Sequence, residues 1–264
     1  MSFFKGKTAW VTGASSGIGE QLVYAMNKLG ANVIISSRKV LDLEIVKSNC
    51  QYPENIGILS FDLAQEDKMI AIADQAIDLY STVDFLFNNG GISQRSHVLE
   101  TQMDVYHRLM NINFFGTVAL TKAVLPHMLK KKQGKIIVIS SLMGKFSSPL
   151  RSGYAAAKHA LHGFFDSLRL EMHENNIGVL MVCPGFVKTN ISMNSVTADG
   201  SKHNKMDNAQ EKGMSAADCA KQILNAVEKD KHEVYLGSRE IYAIYLKRFL
   251  PSLLHRILLK SKVT

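Results

Sequence analysis

The sequence predicts an α/β protein built on one doubly wound parallel sheet of about seven strands, with helices on both faces. Three observations carry this. Short β-branched apolar runs alternate with longer helix-periodic stretches along the 264 residues. Several of those runs are apolar at every position, the pattern of strands covered by helices on both sides. And a glycine-rich turn stands directly between the first such run and the first helical stretch, at Thr12–Gly19.

In chain order, Thr8–Val11 is the first strand and Gly17–Leu29 the first helix. Strands at Asn32–Ser36 and Gly57–Phe61 flank a helix over Val40–Asn49, and Asp67–Tyr80 forms the next helix. Phe85–Phe87 is the fourth strand, followed by one long helical stretch over Met103–Lys132. Lys130, Lys131 and Lys132 complement the negative end of that helix, and Gly134 suits its C-terminal cap. A strand at Lys135–Ser140, a helix at Gly153–Asn175 and a strand at Val179–Cys183 come next. Ser215 and Asp218 offer an N-cap and a first-turn acid to a helix over Ala216–Lys229. Glu233–Leu236 closes the sheet as the seventh strand. No repeat or linker interrupts the pattern, so residues 1–238 read as one nucleotide-binding and catalytic domain. Residues 190–213, polar and without a steady period, read as a substrate lid within it.

Hydrophobic residues at 46% and charged ones at 20% exclude disorder, collagen and coiled coil. The net charge of +8 raises nucleic acid, an anionic membrane surface or an anionic small ligand as partners. Its distribution decides against nucleic acid. Residues 239–264 hold Arg239, Lys247, Arg248, Arg256, Lys260 and Lys262 against Glu240 alone, a net +5 that leaves +3 for the rest. This tail mixes its bases with Ile244, Leu246, Phe249, Leu253, Leu254, Ile257 and Leu258, and Pro251 divides it into two short amphipathic helices. Such a tail suits either a peripheral membrane contact or packing over the pocket or a partner subunit. Cys50, Cys183 and Cys219 have neither zinc nor disulfide spacing and read as buried thiols. No signal-peptide h-region and no apolar run of membrane-spanning length is present, so a cytoplasmic location is expected. His159 and His162 are close on one helix but lack a third convergent ligand, so no metal is expected.

The glycine-rich turn reads Thr12-Gly13-Ala14-Ser15-Ser16-Gly17-Ile18-Gly19. A dinucleotide pyrophosphate needs backbone N–H groups and a helix N-terminus aimed at it, with glycines to permit close approach. The spacing is GxxxGxG, and its place between strand and helix gives it weight. At the end of the second strand, where a carboxylate would accept from an NAD ribose, the chain instead offers Ser37 and Arg38. A guanidinium fork there fits a 2′-phosphate, so NADP is the expected cofactor.

Further on, Tyr154 and Lys158 stand four residues apart at the start of a helix, on one face. A free phenol titrates near ~10, and a neighbouring ammonium favours the phenolate. With TGASSGIG, Asp62-Leu63, Asn88-Asn89-Gly90-Gly91, Asn113 in NFFGT, Ser141 thirteen residues before Tyr154, YAAAK, and Pro184-Gly185 with Thr189, the chain from Gly6 to about Gly237 resembles the short-chain dehydrogenase/reductase family. The resemblance implies a Rossmann-type sheet of order 3-2-1-4-5-6-7. It implies that Tyr154 is the general acid in ketone reduction and the base in alcohol oxidation. Lys158 would bind the nicotinamide ribose, and Ser141 would hydrogen-bond the substrate oxygen. Asn113 would join a water-linked proton relay to Lys158. Gly13, Ser15, Ser16, Gly17, Ile18 and Gly19 would cradle the pyrophosphate. Asp62 and Leu63 would flank the adenine, and Asn89 and Gly91 would support the cofactor loop. Val187 and Thr189 would meet the carboxamide, with Pro184 and Gly185 beside the nicotinamide. The usual Asn-Asn-Ala-Gly reads Asn-Asn-Gly-Gly here, a loss of one methyl.

The stretches GISQRS, NINFFGTVALTKAVLPHMLKKKQGKI, SSLMGKFSSPLRSGYAAAKHA and TADGS resemble the branch holding dehydrogenase/reductase members 7 and 7B. That likeness implies NADP-dependent reduction of a hydrophobic carbonyl compound, lipid-, steroid- or retinoid-like. Members commonly carry an N-terminal membrane anchor, which is not expected here. Leu142, Met143, Phe146, Leu150, Ile92 and Phe186 are candidates for an apolar substrate pocket, with core packing as their alternative reading. The family's pairing helices imply a homodimer or homotetramer. The rival to an enzyme is a catalytically idle nucleotide-binding or scaffold protein on the same fold.

Overall fold

The computed structural model describes residues 2–260. Seven strands form one parallel sheet: β1 (Thr8–Thr12), β2 (Asn32–Ser36), β3 (Ile56–Ile58), β4 (Phe85–Asn88), β5 (Gly134–Ile139), β6 (Ile177–Pro184) and β9 (Glu233–Leu236). Their order is β3-β2-β1-β4-β5-β6-β9, the expected arrangement with β9 as seventh member. Two further strands, β7 (Val187–Lys188) and β8 (Met214–Ser215), pair only with each other. The helices are α1 (Gly17–Lys28), α2 (Val40–Ser48), α3 (Met69–Tyr80), α4 (Met103–Met110), α5 (Gly116–Lys131), α6 (Ser152–Glu171), α7 (Asn208–Glu211), α8 (Ala216–Glu228), α9 (Tyr242–Phe249) and α10 (Pro251–Lys260).

Alternation along each strand sorts the core into two layers. Val11, Val33, Ile35, Phe87, Ile137 and Val182 face one layer, which Leu22, Val23, Met26 and Ile223 of α1 and α8 complete. Trp10, Ile34, Leu86, Ile136, Val138 and Met181 face the other, against α3, α5 and α6. Trp10 is fully buried, and its indole N–H donates to Ser36 Oγ at 2.8 Å. All three cysteines are buried free thiols.

One expected element is broken. The stretch Met103–Lys132 is not a single α-helix: α4 and α5 are separated by a π-helical stretch over Asn111–Phe115. Such a bulge inserts a residue into the helical phase and recurs at functional sites. Here it carries Asn113, fully buried. Switch points between strands of reversed winding lie at the carboxyl ends of β1 and β4, where an open α/β sheet places its ligand crevice. The two clefts described next lie beside those ends.

Candidate active site

The turn after β1 must approach its neighbours too closely for side chains. A Cβ on Gly19 would fall 2.3 Å from the Gly13 carbonyl oxygen, and Gly13 itself has φ +63°. Asn89, after β4, donates from Nδ2 to the carbonyls of Thr12 at 2.9 Å and Gly13 at 3.2 Å. Thr12 Oγ1 accepts from the N–H groups of Asn89 at 3.0 Å and Gly90 at 2.9 Å. The two loops are thereby knitted into one floor. At the Asn-Asn-Gly-Gly departure, a Cβ on Gly90 would meet the flexible end of Leu63, Cδ1, at 2.6 Å.

This floor, with the N-terminus of α1, opens into a cleft of about 510 Å³. Gly13, Ser15, Ser16, Gly17, Ile18, Ser37, Arg38, Asp62, Leu63, Asn89, Gly91 and Thr189 lie on its wall. Residues 190–213 contribute Asn194, Val196, Gly200 and Lys202 to the same wall. A smaller cavity of about 100 Å³ adjoins it and shares Ile18, Asn89, Gly91, Thr189 and Ile191 with it. Ser141, Tyr154, Lys158, Pro184, Gly185 and Val187 line this second space.

Tyr154 and Lys158 stand on the first turns of α6. The Ser141 hydroxyl bonds the Tyr154 side chain, which favours the phenolate. Burial dominates, however, and raises the Tyr154 phenol above its ordinary value, while Arg95 and Arg151 pull it down. Lys158 Nζ donates to the Ile139 carbonyl at 2.8 Å and lies 5.8 Å from the centre of the Tyr154 ring. Burial pushes the Lys158 ammonium down to about 8. Ser140 also lines the small cavity, and its hydroxyl lies 3.1 Å from His162 Nε2. Asn113 and Gly19 stand behind the walls rather than on them. Asn113 reaches Ile92, and Gly91 lies so near that a Cβ there would be 2.7 Å from Asn113 Oδ1.

A chain 40% identical over 263 residues, covering 97% of this one and 81% of its own length, is mouse dehydrogenase/reductase SDR family member 7B. The family model described as short chain dehydrogenase matches residues 7–200. This chain belongs to the short-chain dehydrogenase/reductase family. Solved structures share its fold. One is a short-chain dehydrogenase/reductase from Burkholderia phymatum in complex with NAD, with a TM-score of 0.85 at 21% identity, covering 100% of this chain and 98% of its own. Another is a short-chain dehydrogenase from Burkholderia cenocepacia in complex with NADP, with a TM-score of 0.79 at 24% identity, covering 98% and 99%.

Within this short-chain dehydrogenase/reductase frame, several side chains went unread in the sequence. Gln94 Oε1 accepts from the N–H groups of Gly153 at 2.8 Å and Tyr154 at 3.4 Å, capping α6 from another loop. Glu240, the lone acid of the tail, accepts from Phe186 N–H at 3.3 Å and packs against Gly185. Residues 190–213 are pinned rather than loose. Val196 bridges to Gln94, and the buried Asp207 pairs with Arg95 and Arg151. Of the apolar pocket candidates, Ile92 lines the large cleft. Leu142 and Phe146 instead bury against Cys183 and Leu254 of α10. The tail's inner face therefore packs beneath the loop that follows Ser141.

His162 also differs from expectation. Cys183 and Glu233 converge on it, with ligand atoms within 4.8 Å of one another. Only the folded sheet brings β6 and β9 there. Glu233 is engaged by Lys145 Nζ at 2.6 Å.

Proposed function

We propose that this chain is an NADP-dependent carbonyl reductase acting on a hydrophobic ketone or aldehyde. The observation that carries the reading is the small cavity holding Ser141, Tyr154 and Lys158, continuous with a dinucleotide-sized cleft. The glycine turn suits the pyrophosphate, since its close packing leads straight into the N-terminus of α1 on the cleft wall. Ser37 and Arg38 on the cleft wall suit a 2′-phosphate. Pro184, Gly185, Val187 and Thr189 would hold the nicotinamide end. When bound, the dinucleotide supplies the hydride. The chain's own residues handle the oxygen and the proton. Ser141 donates a hydrogen bond to the carbonyl oxygen, and Tyr154 gives up its phenolic proton to that oxygen as charge develops there. Lys158 holds positive charge beneath the tyrosine. Ile18, Ile139, Val187 and Ile191 give the cavity apolar walls, in keeping with a lipid-, steroid- or retinoid-like substrate.

Residues 190–213 serve as the substrate lid, held at Val196 and Asp207. The enzyme works in the cytoplasm as a homodimer or homotetramer. The tail's outward residues Tyr242, Tyr245, Phe249, Leu253 and Ile257 are exposed beside Lys247, Arg248 and Arg256, which suits an anionic membrane surface. The filled Asn113, Ser141, Tyr154 and Lys158 positions speak against an idle scaffold.

The test is NADPH consumption across steroid, retinal and acyl-ketone compounds by wild type and Tyr154→Phe. Turnover lowered about 10²–10⁴-fold in the variant, with dinucleotide binding kept, is expected of a lost general acid. A variant as active as wild type on every accepted ketone would overturn the assignment.

A further inference from the structure

Among the described residues, three buried side-chain polar atoms lack a hydrogen-bond partner: Asn88 Oδ1, His162 Nδ1 and Gln210 Oε1. Two of them belong to side chains that are held at their other end. Asn88 Nδ2 donates to Thr121 Oγ1 at 2.9 Å, and His162 Nε2 stands 3.1 Å from Ser140 Oγ. Gln210 differs. It alone of the three lies on the wall of the small cavity, which it shares with Ser141, Tyr154 and Lys158.

The backbone fixes Gln210 there. It stands in α7, where its N–H donates to the Asp207 carbonyl at 3.0 Å and its carbonyl accepts from Gly213 N–H at 3.1 Å. Asp207 is held in turn by its ion pair with Arg95. At the other end, a Cβ on Gly213 would fall 2.4 Å from the Phe186 carbonyl oxygen, and Met214 N–H donates to that oxygen at 2.9 Å. β8 then pairs with β7, with Met214 opposite Val187. The short helix is thereby pressed onto the strand whose Val187 lines the same cavity.

An amide oxygen shut away from water without a donor costs about 1–3 kcal/mol. On a cavity wall such an atom has a ready explanation: the missing donor arrives with a ligand. Oε1 only accepts, so the group that meets it must carry an N–H or O–H. The oxygen of a ketone or aldehyde also only accepts, and Ser141 and Tyr154 are the donors that serve it. The nicotinamide end of a dinucleotide, by contrast, always carries one donor group, the carboxamide NH2. We propose that Gln210 is a nicotinamide-binding residue, whose side-chain oxygen accepts a hydrogen bond from that NH2 and so ties residues 190–213 to the bound dinucleotide. The inference rests on the dinucleotide reading above, but not on the choice between NAD and NADP, since both carry the carboxamide. It makes the lid segment a reader of the cofactor: a dinucleotide without the amide leaves the α7 oxygen unpaired.

Calorimetric titration tests it with NADP and with the 3-acetylpyridine analogue of NADP, in which a methyl ketone replaces the carboxamide and no donor remains. Gln210→Leu should weaken NADP about 3–10-fold, the span of one net hydrogen bond, and leave the analogue unchanged. Gln210→Glu keeps an acceptor at the same reach and should restore NADP binding. Without dinucleotide, Gln210→Leu should melt at or above wild type, since it removes an unpaired buried amide and breaks no side-chain bond. Equal weakening of NADP and its analogue would mean a loosened segment and would overturn the proposal. So would NADP binding indifferent to the leucine change, including the case in which only the preference for hydroxyl-bearing ketones shifts and the oxygen serves substrate. Should Gln210→Leu not fold, Gln210→Met, unbranched and of similar length, decides by the same comparison. Wild type that bound neither NADP nor NAD would sink the dinucleotide reading itself. A failed inference on an intact reading shows instead as firm NADP binding that ignores Gln210.

Discussion

Asn113 and Ile92 hold each other by two hydrogen bonds, with Ile92 N–H donating to Asn113 Oδ1 at 2.8 Å and Asn113 Nδ2 donating to the Ile92 carbonyl at 2.9 Å. A side-chain amide here imitates a strand partner for the loop after β4. The π-helical stretch makes it possible by turning Asn113 inward, where a regular helix would give it a different phase. The loop so held is the one that floors the cofactor cleft and leads into Gln94 and Arg95.

Asn113→Ala should therefore act on both stability and turnover. Removing the amide takes away both partners of the half-buried Ile92 backbone, a cost of about 1–3 kcal/mol in all because water in the cleft can replace part of them. Urea unfolding should show a lowered midpoint at unchanged slope. Dinucleotide affinity should fall as the floor loosens. A variant of wild-type stability would show that the amide pair does not hold the loop.

Much of the fold was legible because strands such as Asn32–Ser36 are apolar on both faces, while Glu233–Leu236 shows itself by alternation instead. The glycine turn and the Tyr154–Lys158 pair are local patterns, visible without the fold. What stayed hidden depends on distant partners or helical phase. Arg95 meets Asp207 across 112 residues, and nothing in the polar stretch around Asp207 names its partner. Cys183 and Glu233 meet His162 only because β9 pairs beside β6. The π-helical stretch was concealed because its apolar residues still fit a helical period when read from either end.

His162 gives the stability a definite acid dependence. Burial, aided by the Lys145 charge, pushes its imidazole from the ordinary 6.5 down to about 4. Between these values the unfolded chain binds a proton that the native state does not, so stability falls as pH falls from 6.5 to 4. The loss is at most roughly 3.4 kcal/mol at 1.36 kcal/mol per unit. His162→Gln should flatten the curve over that window, read from urea midpoints. An unchanged slope would mean the imidazole is charged in the native state.

On the proposed NADP reading, Arg38 is the lever on cofactor choice. A charge-assisted hydrogen bond to a 2′-phosphate is worth about 1.5–3 kcal/mol, so Arg38→Ala should weaken NADPH about 10–100-fold. NADH has no such phosphate, and its binding should stay unchanged. Fluorescence titration with both dinucleotides separates the cases. Equal effects on the two would assign Arg38 a role other than reading the phosphate.

The tail offers a test with its two faces set against each other. Leu254 is 3% exposed and packs on Leu142 and Phe146, just after Ser141. Leu254→Ala should cost about 2–4 kcal/mol through the lost methyls and the cavity left behind. It should also raise KM for the ketone, because the loop it supports carries Ser141, the proposed partner of the substrate oxygen. Phe249, on the opposite face, is 73% exposed. Phe249→Asp should leave stability within about 0.5 kcal/mol, as surface changes do. It should instead abolish co-sedimentation with phosphatidylserine vesicles, which reads the proposed membrane contact alone. If Phe249→Asp lowered the melting temperature as much as Leu254→Ala, the outer face would be packed in solution, against a second copy of the chain, and the vesicle reading would fall.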